Sequence, residues 1–248
     1  MTSLHKKRLD QILVYQGLAK SRDRAQALIM AGLVYSGTKR LDKAGMRFPT
    51  DIVIELKGRD HPWVSRGGIK LNHALEFFEF NIQDKVCLDI GASTGGFCDV
   101  LLSRGAGKVY AVDVGHGQLA WKIRNDERVI VIERVNARYI SHKEVPEKID
   151  LVCCDVSFIG LRTILPASLK LTNTEANLVA LIKPQFEVAK WQVGSKGVVR
   201  DSDLHVEVCK NISDWLIGFA NWEVMGIEKS PIIGPKGNVE FLIAASRY

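Results

Sequence analysis

The sequence predicts an α/β protein: a small α+β module followed by a doubly wound, mostly parallel sheet whose last two strands pair antiparallel. Short apolar runs alternate with helical patterns from residue 86 onwards, as in parallel sheets covered on both faces. The last two runs have no helical pattern between them. Charge sets the module apart, because residues 1–62 hold 12 Lys and Arg against 6 Asp and Glu, whereas residues 63–248 hold 22 of each.

Composition excludes several classes of protein. The 248 residues are 46% hydrophobic and 25% charged, as in ordinary globular domains, and the net charge of +6 suggests that the module has a polyanionic partner. No apolar run approaches a membrane span, and no signal peptide is recognisable. The five cysteines are odd in number and lack a C-x-x-C pair, which favours a reduced cytoplasmic protein. The histidines show no metal-ligand spacing, so no metal is expected.

Two short helices and then strands are expected in the basic module. Leu9, Ile12 and Leu13 recur near helical spacing. Ser21 is a candidate N-cap for a second helix, which Gly32 would end. Strands are expected at 33–35 and 51–56 around a turn at 36–38, followed by a polar linker at 57–62.

The larger part of the chain predicts seven strands. A helix is expected to begin after 65–68, with further helices near 95–104, 117–124, 160–170 and 203–219. The last two strands are joined by the Gly- and Pro-rich stretch 231–238 and should pair antiparallel. The strands are predicted at 86–90, 109–113, 129–133, 151–155, 178–182, 222–228 and 239–245.

The first of these strands leads into a loop of small residues, 91–97, and then a helix. Such a loop lets a ligand approach the backbone near a helix N-terminus. It is not a dinucleotide fingerprint, because Ser93 occupies the position of the middle glycine. Asp113 ends the next strand, where its carboxylate can accept both hydroxyls of an adenosine ribose. Loop and carboxylate together indicate a nucleoside-bearing cofactor.

Six motifs, in order along the chain, resemble those of the TlyA (hemolysin A) family. These are rRNA ribose 2′-O-methyltransferases with an FtsJ-like, Rossmann-like domain that uses S-adenosylmethionine. Residues 8–34 are similar to the RNA-binding module named after ribosomal protein S-four. The motifs in the larger part are SRGGIK at 65–70, CDVSF at 154–158, KPQFE at 183–187, GVVRD at 197–201 and GNVEF at 237–241.

The resemblance implies an RNA-binding domain at 1–62, a methyltransferase domain at 63–248, ribosomal RNA as partner and cytidine as the favoured nucleotide. It places a Lys-Asp-Lys-Glu tetrad at Lys70, Asp155, Lys183 and Glu240. The cofactor would contact Asp89, Gly91, Ala92, Ser93, Thr94, Gly95, Gly96, Phe97, Asp113, Val114, Asn136 and Ala137. RNA would contact Arg8, Lys20, Arg22, Arg24, Lys39, Arg40 and Arg66, with Arg8 alternatively pairing with Asp10.

The chemistry of ribose methylation suits this tetrad. A 2′-hydroxyl is a poor nucleophile, and its proton must leave as the methyl group arrives. A lysine flanked by charges can act as the base or hold the developing alkoxide. Lys183 is assigned the central role, Asp155 and Glu240 orient the lysines, and Lys70 positions the 2′-oxygen; whether Lys183 or a water is the base stays open.

Other functions fit less well. Amino-group methylation typically uses Asp/Asn-Pro-Pro-aromatic, but the residues after Asp155 contain no proline. Cytosine-C5 methylation needs a nucleophilic cysteine after the aspartate, whereas Cys153 and Cys154 precede it. An RNA-binding protein without catalysis remains as an alternative. A hemolysin is a weaker one, because no amphipathic membrane segment is recognisable.

Overall fold

The computed structural model describes residues 6–57, 61–219, 222–234 and 236–248. The described chain forms two compact units that divide between Arg66 and Gly67. The domain boundary predicted after residue 62 stays a prediction, and positions 58–60 of the predicted linker lie outside the described residues.

The described part of the N-terminal unit contains two helices and five short strands. Helices α1 and α2 pack together, and β1 pairs antiparallel with β4. Strand β2 pairs antiparallel with β3 on one side and β5 on the other. The elements are β1 (Lys6–Arg8), α1 (Leu9–Tyr15), α2 (Arg22–Met30), β2 (Val34–Ser36), β3 (Lys39–Arg40), β4 (Arg47–Pro49) and β5 (Glu55–Leu56).

Helix α2 begins as predicted, because the Ser21 side chain accepts a hydrogen bond from the Arg24 amide. The prediction of a strand at 51–56 is wrong for its first four residues, because only the last two, which form β5, pair with another strand. The carbonyls of Thr50 and Ile52 instead accept hydrogen bonds from the Gln16 side chain at 3.2 and 2.9 Å. The side chain of Gln16, distant in sequence, therefore bonds to backbone carbonyls in place of the strand pairing that the apolar pattern predicted.

The C-terminal unit is a seven-stranded mixed sheet with helices on both faces. A single 3-10 turn, Ala137–Tyr139, follows β8, and two more, Lys190–Gln192 and Ser195–Gly197, lie after α7. The elements are α3 (Gly67–Phe77), β6 (Val86–Ile90), α4 (Gly96–Ser103), β7 (Lys108–Asp113), α5 (Trp121–Arg124), β8 (Val129–Glu133), β9 (Ile149–Cys154), α6 (Leu161–Leu169), β10 (Thr172–Ile182), α7 (Pro184–Glu187), α8 (Ser202–Ile217), β11 (Trp222–Lys229) and β12 (Phe241–Arg247).

The strand order is β11-β12-β10-β9-β6-β7-β8. Strands β10, β9, β6, β7 and β8 run parallel, and β12 lies antiparallel between β10 and β11. The predicted fold class and antiparallel end are thus confirmed. The chain reverses its winding direction between β6 and β9, so the loops after these two strands flank a crevice of the kind that binds ligands in open α/β sheets.

Alternate residues of β6 face opposite layers. Leu88 and Ile90 are buried in a core with residues of α6 and α8. Asp89, between them in sequence, contacts Cys98 of α4, so α4 covers the other face. This two-sided burial explains the continuous apolar runs of the parallel strands.

Two elements of the C-terminal unit differ most in length from the prediction. The helix expected at 117–124 is confined to α5, because Gly117 adopts a left-handed conformation (φ 69°) and its amide donates to Glu133. Strand β10 begins six residues before the predicted 178. The first half of β10 is polar, so the apolar pattern does not predict it. The pairing of β10 with β9 shifts register between Thr172 and Asn177.

Candidate functional site

Four charged side chains from distant parts of the chain meet beyond the carboxyl ends of β9 and β10. Lys70 lies in α3, Asp155 directly follows β9, and Lys183 directly follows β10. Glu240 directly precedes β12, which runs back from the same edge of the sheet, since Ile182 and Phe241 are paired. The structure therefore brings together all four residues of the predicted tetrad.

The four groups form a line of alternating charge. Lys70 Nζ lies 2.7 Å from Glu240 Oε2 and 3.3 Å from Asp155 Oδ2. Lys183 Nζ lies 2.5 Å from Asp155 Oδ1, so Asp155 bridges the two lysines. Lys70, Lys183 and Glu240 are buried, and Asp155 is partly exposed.

Burial and charge oppose each other in this cluster. Burial lowers the pKa of Lys70, but the attraction of Asp155 and Glu240 outweighs it and leaves the pKa raised. Burial likewise raises the pKa of Asp155, but Lys70 and Lys183 overcome this and hold it below its ordinary value. Both groups are therefore ionised at neutral pH.

The loop after β6 approaches Asp155 closely. Gly91 has φ 82°, and a Cβ atom there would lie 2.6 Å from the Asp155 carbonyl oxygen. The Asp155 amide donates to the Ile90 carbonyl at 3.0 Å. Ser93 and Gly95 also have positive φ, and α4 begins at Gly96. This predicted cofactor loop thus borders the tetrad directly.

Asp113 closes the other side of the loop. Its Oδ2 accepts from the Ser93 amide at 2.8 Å, and its Oδ1 accepts from the Gly115 amide at 2.7 Å. Each carboxylate oxygen can accept a further hydrogen bond, so ribose hydroxyls could still bind. The close backbone approach at Gly91 together with this carboxylate fits a nucleoside-bearing cofactor.

The other predicted cofactor residues differ in exposure. Asp89 is fully buried, and its carboxylate accepts from the Cys98 thiol at 3.0 Å. Burial, opposed by that hydrogen bond, raises the pKa of Asp89 to about 7. Within the described chain, Asp89 Oδ1 has no hydrogen-bond partner. Ala92, Gly96, Phe97 and Ala137 are buried, Gly91, Thr94 and Gly95 at most partly exposed, and Val114 and Asn136 exposed.

Three residues beside the tetrad had no role in the sequence-based prediction. Ser157 Oγ lies 3.5 Å from Lys183 Nζ. Phe158 has φ 69° and is 88% exposed, and its ring lies 5.3 Å from that of Phe186. Both phenylalanines occur in motifs quoted above, but only the positive φ and the exposure single out Phe158.

In the N-terminal unit, two of the predicted RNA contacts are engaged with Asp10. Arg8 forms a bidentate pair with this carboxylate, both bonds at 3.0 Å, and Arg22 Nη2 lies 3.1 Å from its Oδ2. Gln26 donates to the same oxygen. Arg8 thus takes the alternative predicted for it, while its side chain stays 39% exposed. Lys20, Lys39 and Arg40 are exposed, and Arg24 and Arg66 are partly buried.

The described residues form neither a metal site nor a membrane-spanning helix. No group of three or more His, Cys, Asp or Glu side chains there could hold a metal ion. None of the described helices is long and apolar enough to cross a membrane.

Two family models match the chain. The FtsJ-like methyltransferase model covers residues 63–247, and the S4 domain model covers residues 7–51. The first match includes all four residues of the tetrad.

Curated relatives and solved structures are similar over nearly the whole length. The chain is 44% identical to the 16S/23S rRNA (cytidine-2′-O)-methyltransferase TlyA of Mycobacterium tuberculosis, covering 95% of this chain and 88% of that protein. It is 42% identical to Hemolysin A of Brachyspira hyodysenteriae, covering 95% and 98%. A solved structure from Streptococcus thermophilus is 41% identical with a TM-score of 0.77, covering 99% of this chain and 90% of that one.

Proposed function

This chain belongs to the FtsJ-like methyltransferase family, and we propose that it methylates a ribose 2′-hydroxyl of ribosomal RNA, favouring cytidine. Its cofactor is S-adenosylmethionine, which supplies a methyl group bound to a positively charged sulfur. The observation that carries the proposal is the alternating line Lys183–Asp155–Lys70–Glu240, which borders the Gly91 loop.

Lys183 takes the central role in this proposal. Lys70 is held by two carboxylates, whereas Lys183 contacts one carboxylate and the exposed Ser157 hydroxyl. Lys183 is therefore freer to turn its Nζ towards an incoming hydroxyl. Its amine can accept the hydroxyl proton, and its ammonium can stabilise the developing alkoxide.

The remaining three groups orient the reaction. Asp155 fixes Lys183 from one side and Lys70 from the other, and Glu240 holds Lys70 in place. A charged Lys70 then donates a hydrogen bond that positions the 2′-oxygen. Alignment of this oxygen with the donor's methyl group contributes further to the rate.

An aromatic pair with one exposed ring supports a nucleotide as the methyl acceptor. Phe158 and Phe186 lie beside the tetrad, and Phe158 is only three residues after Asp155. Bases of single-stranded or splayed-out nucleotides stack on exposed aromatic rings. We propose that the Phe158 ring holds the base whose ribose faces Lys183.

The N-terminal unit supports RNA as the partner. Lys20, Lys39 and Arg40 are exposed there, and lysine and arginine contacts to phosphates position folded RNA. Arg8 and Arg22 share the buried Asp10 yet remain partly exposed, so their outer N–H groups can still meet phosphates. A cytoplasmic location, predicted from the free cysteines, remains a prediction.

Tritiated methyl transfer to ribosomal subunits that lack the modification tests the proposal. Wild-type protein should label the RNA in alkali-resistant dinucleotides, because a 2′-O-methyl group blocks alkaline cleavage. The Lys183→Ala variant should transfer methyl groups about 100-fold more slowly or worse, the usual contribution of a general base, and should bind S-adenosylmethionine in calorimetry as wild type does.

Label in mononucleotides would indicate methylation of the base. Equal transfer rates for wild type and Lys183→Ala would refute the role of Lys183. Folded protein that neither binds S-adenosylmethionine in calorimetry nor transfers a methyl group would favour an RNA-binding protein without catalysis.

A further inference from the structure

Backbone hydrogen bonds connect described residues of the segment 230–240, here called the Glu240 loop; residue 235 lies outside the described chain. The Gly234 amide donates to the Asn238 carbonyl at 2.9 Å, and the Gly237 amide donates to the Gly234 carbonyl at 2.9 Å. The Ser230 amide donates to the Glu240 carbonyl, also at 2.9 Å. These bonds fix the backbone that carries Glu240.

Asn238 ties this loop to a segment about forty residues earlier. Its side chain is 3% exposed, and both of its polar atoms are bonded. Its Oδ1 accepts from the Val199 amide at 3.0 Å, and its Nδ2 donates to the Gly197 carbonyl at 2.9 Å. The Val199 carbonyl also lies 3.0 Å from His205 Nε2 in α8, so the earlier segment is itself anchored.

The Glu240 carboxylate has little room to move. A Cβ atom on Gly234 would lie 2.5 Å from Glu240 Oε1, so the backbone at Gly234 closes one side. On the other side, Lys70 Nζ lies 2.7 Å from Glu240 Oε2. A shift of the Glu240 loop would therefore change the contact with Lys70.

We infer that Asn238 is a positioning residue: by clamping the Glu240 loop to residues 197–199, it holds Glu240 in contact with Lys70. The catalytic consequence rests on the proposed function, but the contact can be measured without it. Both polar atoms of the Asn238 side chain bond to the segment 197–199, so the effect of Asn238 on Lys70 passes through Glu240.

The reactivity of Lys70 reports the contact directly. Only a neutral amine is acetylated, and Lys70 faces two carboxylates, Asp155 and Glu240, with Lys183 beyond Asp155. Loosening Glu240 therefore increases the neutral fraction of Lys70. In Asn238→Ala, competitive acetylation at pH 9 read by mass spectrometry should label Lys70 about threefold to tenfold faster, equivalent to a shift of about 0.5 to 1 pH unit.

Two controls separate positioning from general loosening. Lys183 is paired with Asp155 and not with Glu240, so its labelling rate should stay within about twofold of wild type. Asn177→Ala removes another side-chain hydrogen bond, to Ser246 of β12 at the opposite end of the strand, and should leave Lys70 unchanged. Asn238→Ser, a milder change, should give an intermediate effect if Asn238→Ala does not fold. Unchanged Lys70 labelling in a folded Asn238 variant, or an equal rise for Lys183, would overturn the inference.

Methyl transfer by the same proteins adds the catalytic test. Asn238→Ala should lower kcat about tenfold or more, with the KM for RNA and the affinity for S-adenosylmethionine within about twofold of wild type. The absence of methyl transfer by wild type would refute the proposed function. The acetylation rate of Lys70 would still decide whether Asn238 positions Glu240. Transfer by wild type with an unchanged kcat in the variant would refute that role alone.

Discussion

Lys70 Nζ lies 2.7 Å from Glu240 Oε2, although 170 residues separate the two in sequence. Lys70 lies in α3, which precedes the sheet in sequence, and Glu240 directly precedes β12, the last strand of the chain. The contact thus closes the tetrad only when the whole C-terminal unit is folded. Together with the charge of Asp155, it also explains why Lys70 stays charged although it is buried.

Replacing Glu240 with glutamine should shift the alkaline side of the pH–rate profile. Burial lowers the pKa of Lys70, and its two carboxylates raise it to a net value above the ordinary one. Without the Glu240 charge that pKa falls, so Lys70 loses its proton at lower pH. In single-turnover methyl transfer between pH 7 and 10, the rate constant should begin to decline at lower pH than in wild type. Glu223→Gln, on an exposed position of β11, is the matched control, and coincident profiles would contradict the prediction.

Substitution of Gly91 by alanine should weaken cofactor binding rather than prevent folding. A Cβ atom at Gly91 would lie 2.6 Å from the Asp155 carbonyl oxygen, so the cofactor loop must shift. Gly17 has a similar φ (72°) and open space around its Cβ position. Gly17→Ala therefore carries the same left-handed strain, about 1 kcal/mol, without the clash. Calorimetry should show at least tenfold weaker binding of S-adenosylmethionine for Gly91→Ala only; unchanged affinity would rule out a tight loop as the cofactor site.

Much of the sheet could be predicted from the sequence, because its parallel strands are buried on both faces. Strands β6 and β8 have the predicted bounds, and Asp155 and Lys183 could be placed at one edge because each directly follows an apolar run. Strand β10 was predicted too short because its first residues are polar. Apolar runs show where a strand is covered, and pairing can extend beyond them.

The contacts that complete the site were not predictable from local pattern. The Asn238 clamp and the Lys70–Glu240 pair each join segments that no periodicity relates. The resemblance named Lys70 and Glu240 as members of one tetrad, but the order of contacts, with Asp155 between the lysines, depends on tertiary packing. The positive φ of Phe158 is likewise set by its surroundings, since phenylalanine rarely adopts it.

Asp10 should stabilise the N-terminal unit in a pH-dependent manner. Burial raises the pKa of this carboxyl, but hydrogen bonds from Arg8, Gln26 and Arg22 outweigh burial and hold it well below its ordinary value. The stabilisation that a depressed pKa gives the fold is complete above the unfolded pKa of about 3.9. This stabilisation is lost as the pH falls from that value towards the lower folded pKa. At pH 7, Asp10→Asn should lower the opening free energy of α1 and α2 amides in hydrogen exchange by about 2 kcal/mol.

The difference between wild type and Asp10→Asn should shrink as the pH falls from 4 towards 2, because Asp10 then gains a proton in the unfolded chain while it stays ionised in the folded one. Asp23→Asn, an exposed acid in the first turn of α2, should change little at either pH. A destabilisation by Asp10→Asn that stays constant across this range would show that packing, and not charge, holds the two helices at this site.

Phe158 should affect the reaction with RNA and not the binding of the cofactor. Its ring is 88% exposed beside Phe186, and stacking of a base on such a ring contributes about 1–3 kcal/mol. Phe158→Ala should therefore lower kcat/KM for ribosomal subunits by about tenfold or more and leave calorimetric binding of S-adenosylmethionine unchanged. Phe158→Trp should restore most of the activity, because it keeps a stacking surface. Phe77→Ala, at a 55% exposed ring on α3, is the control, and an equal loss in both alanine variants would show that the effect is not specific to the tetrad's aromatic neighbour.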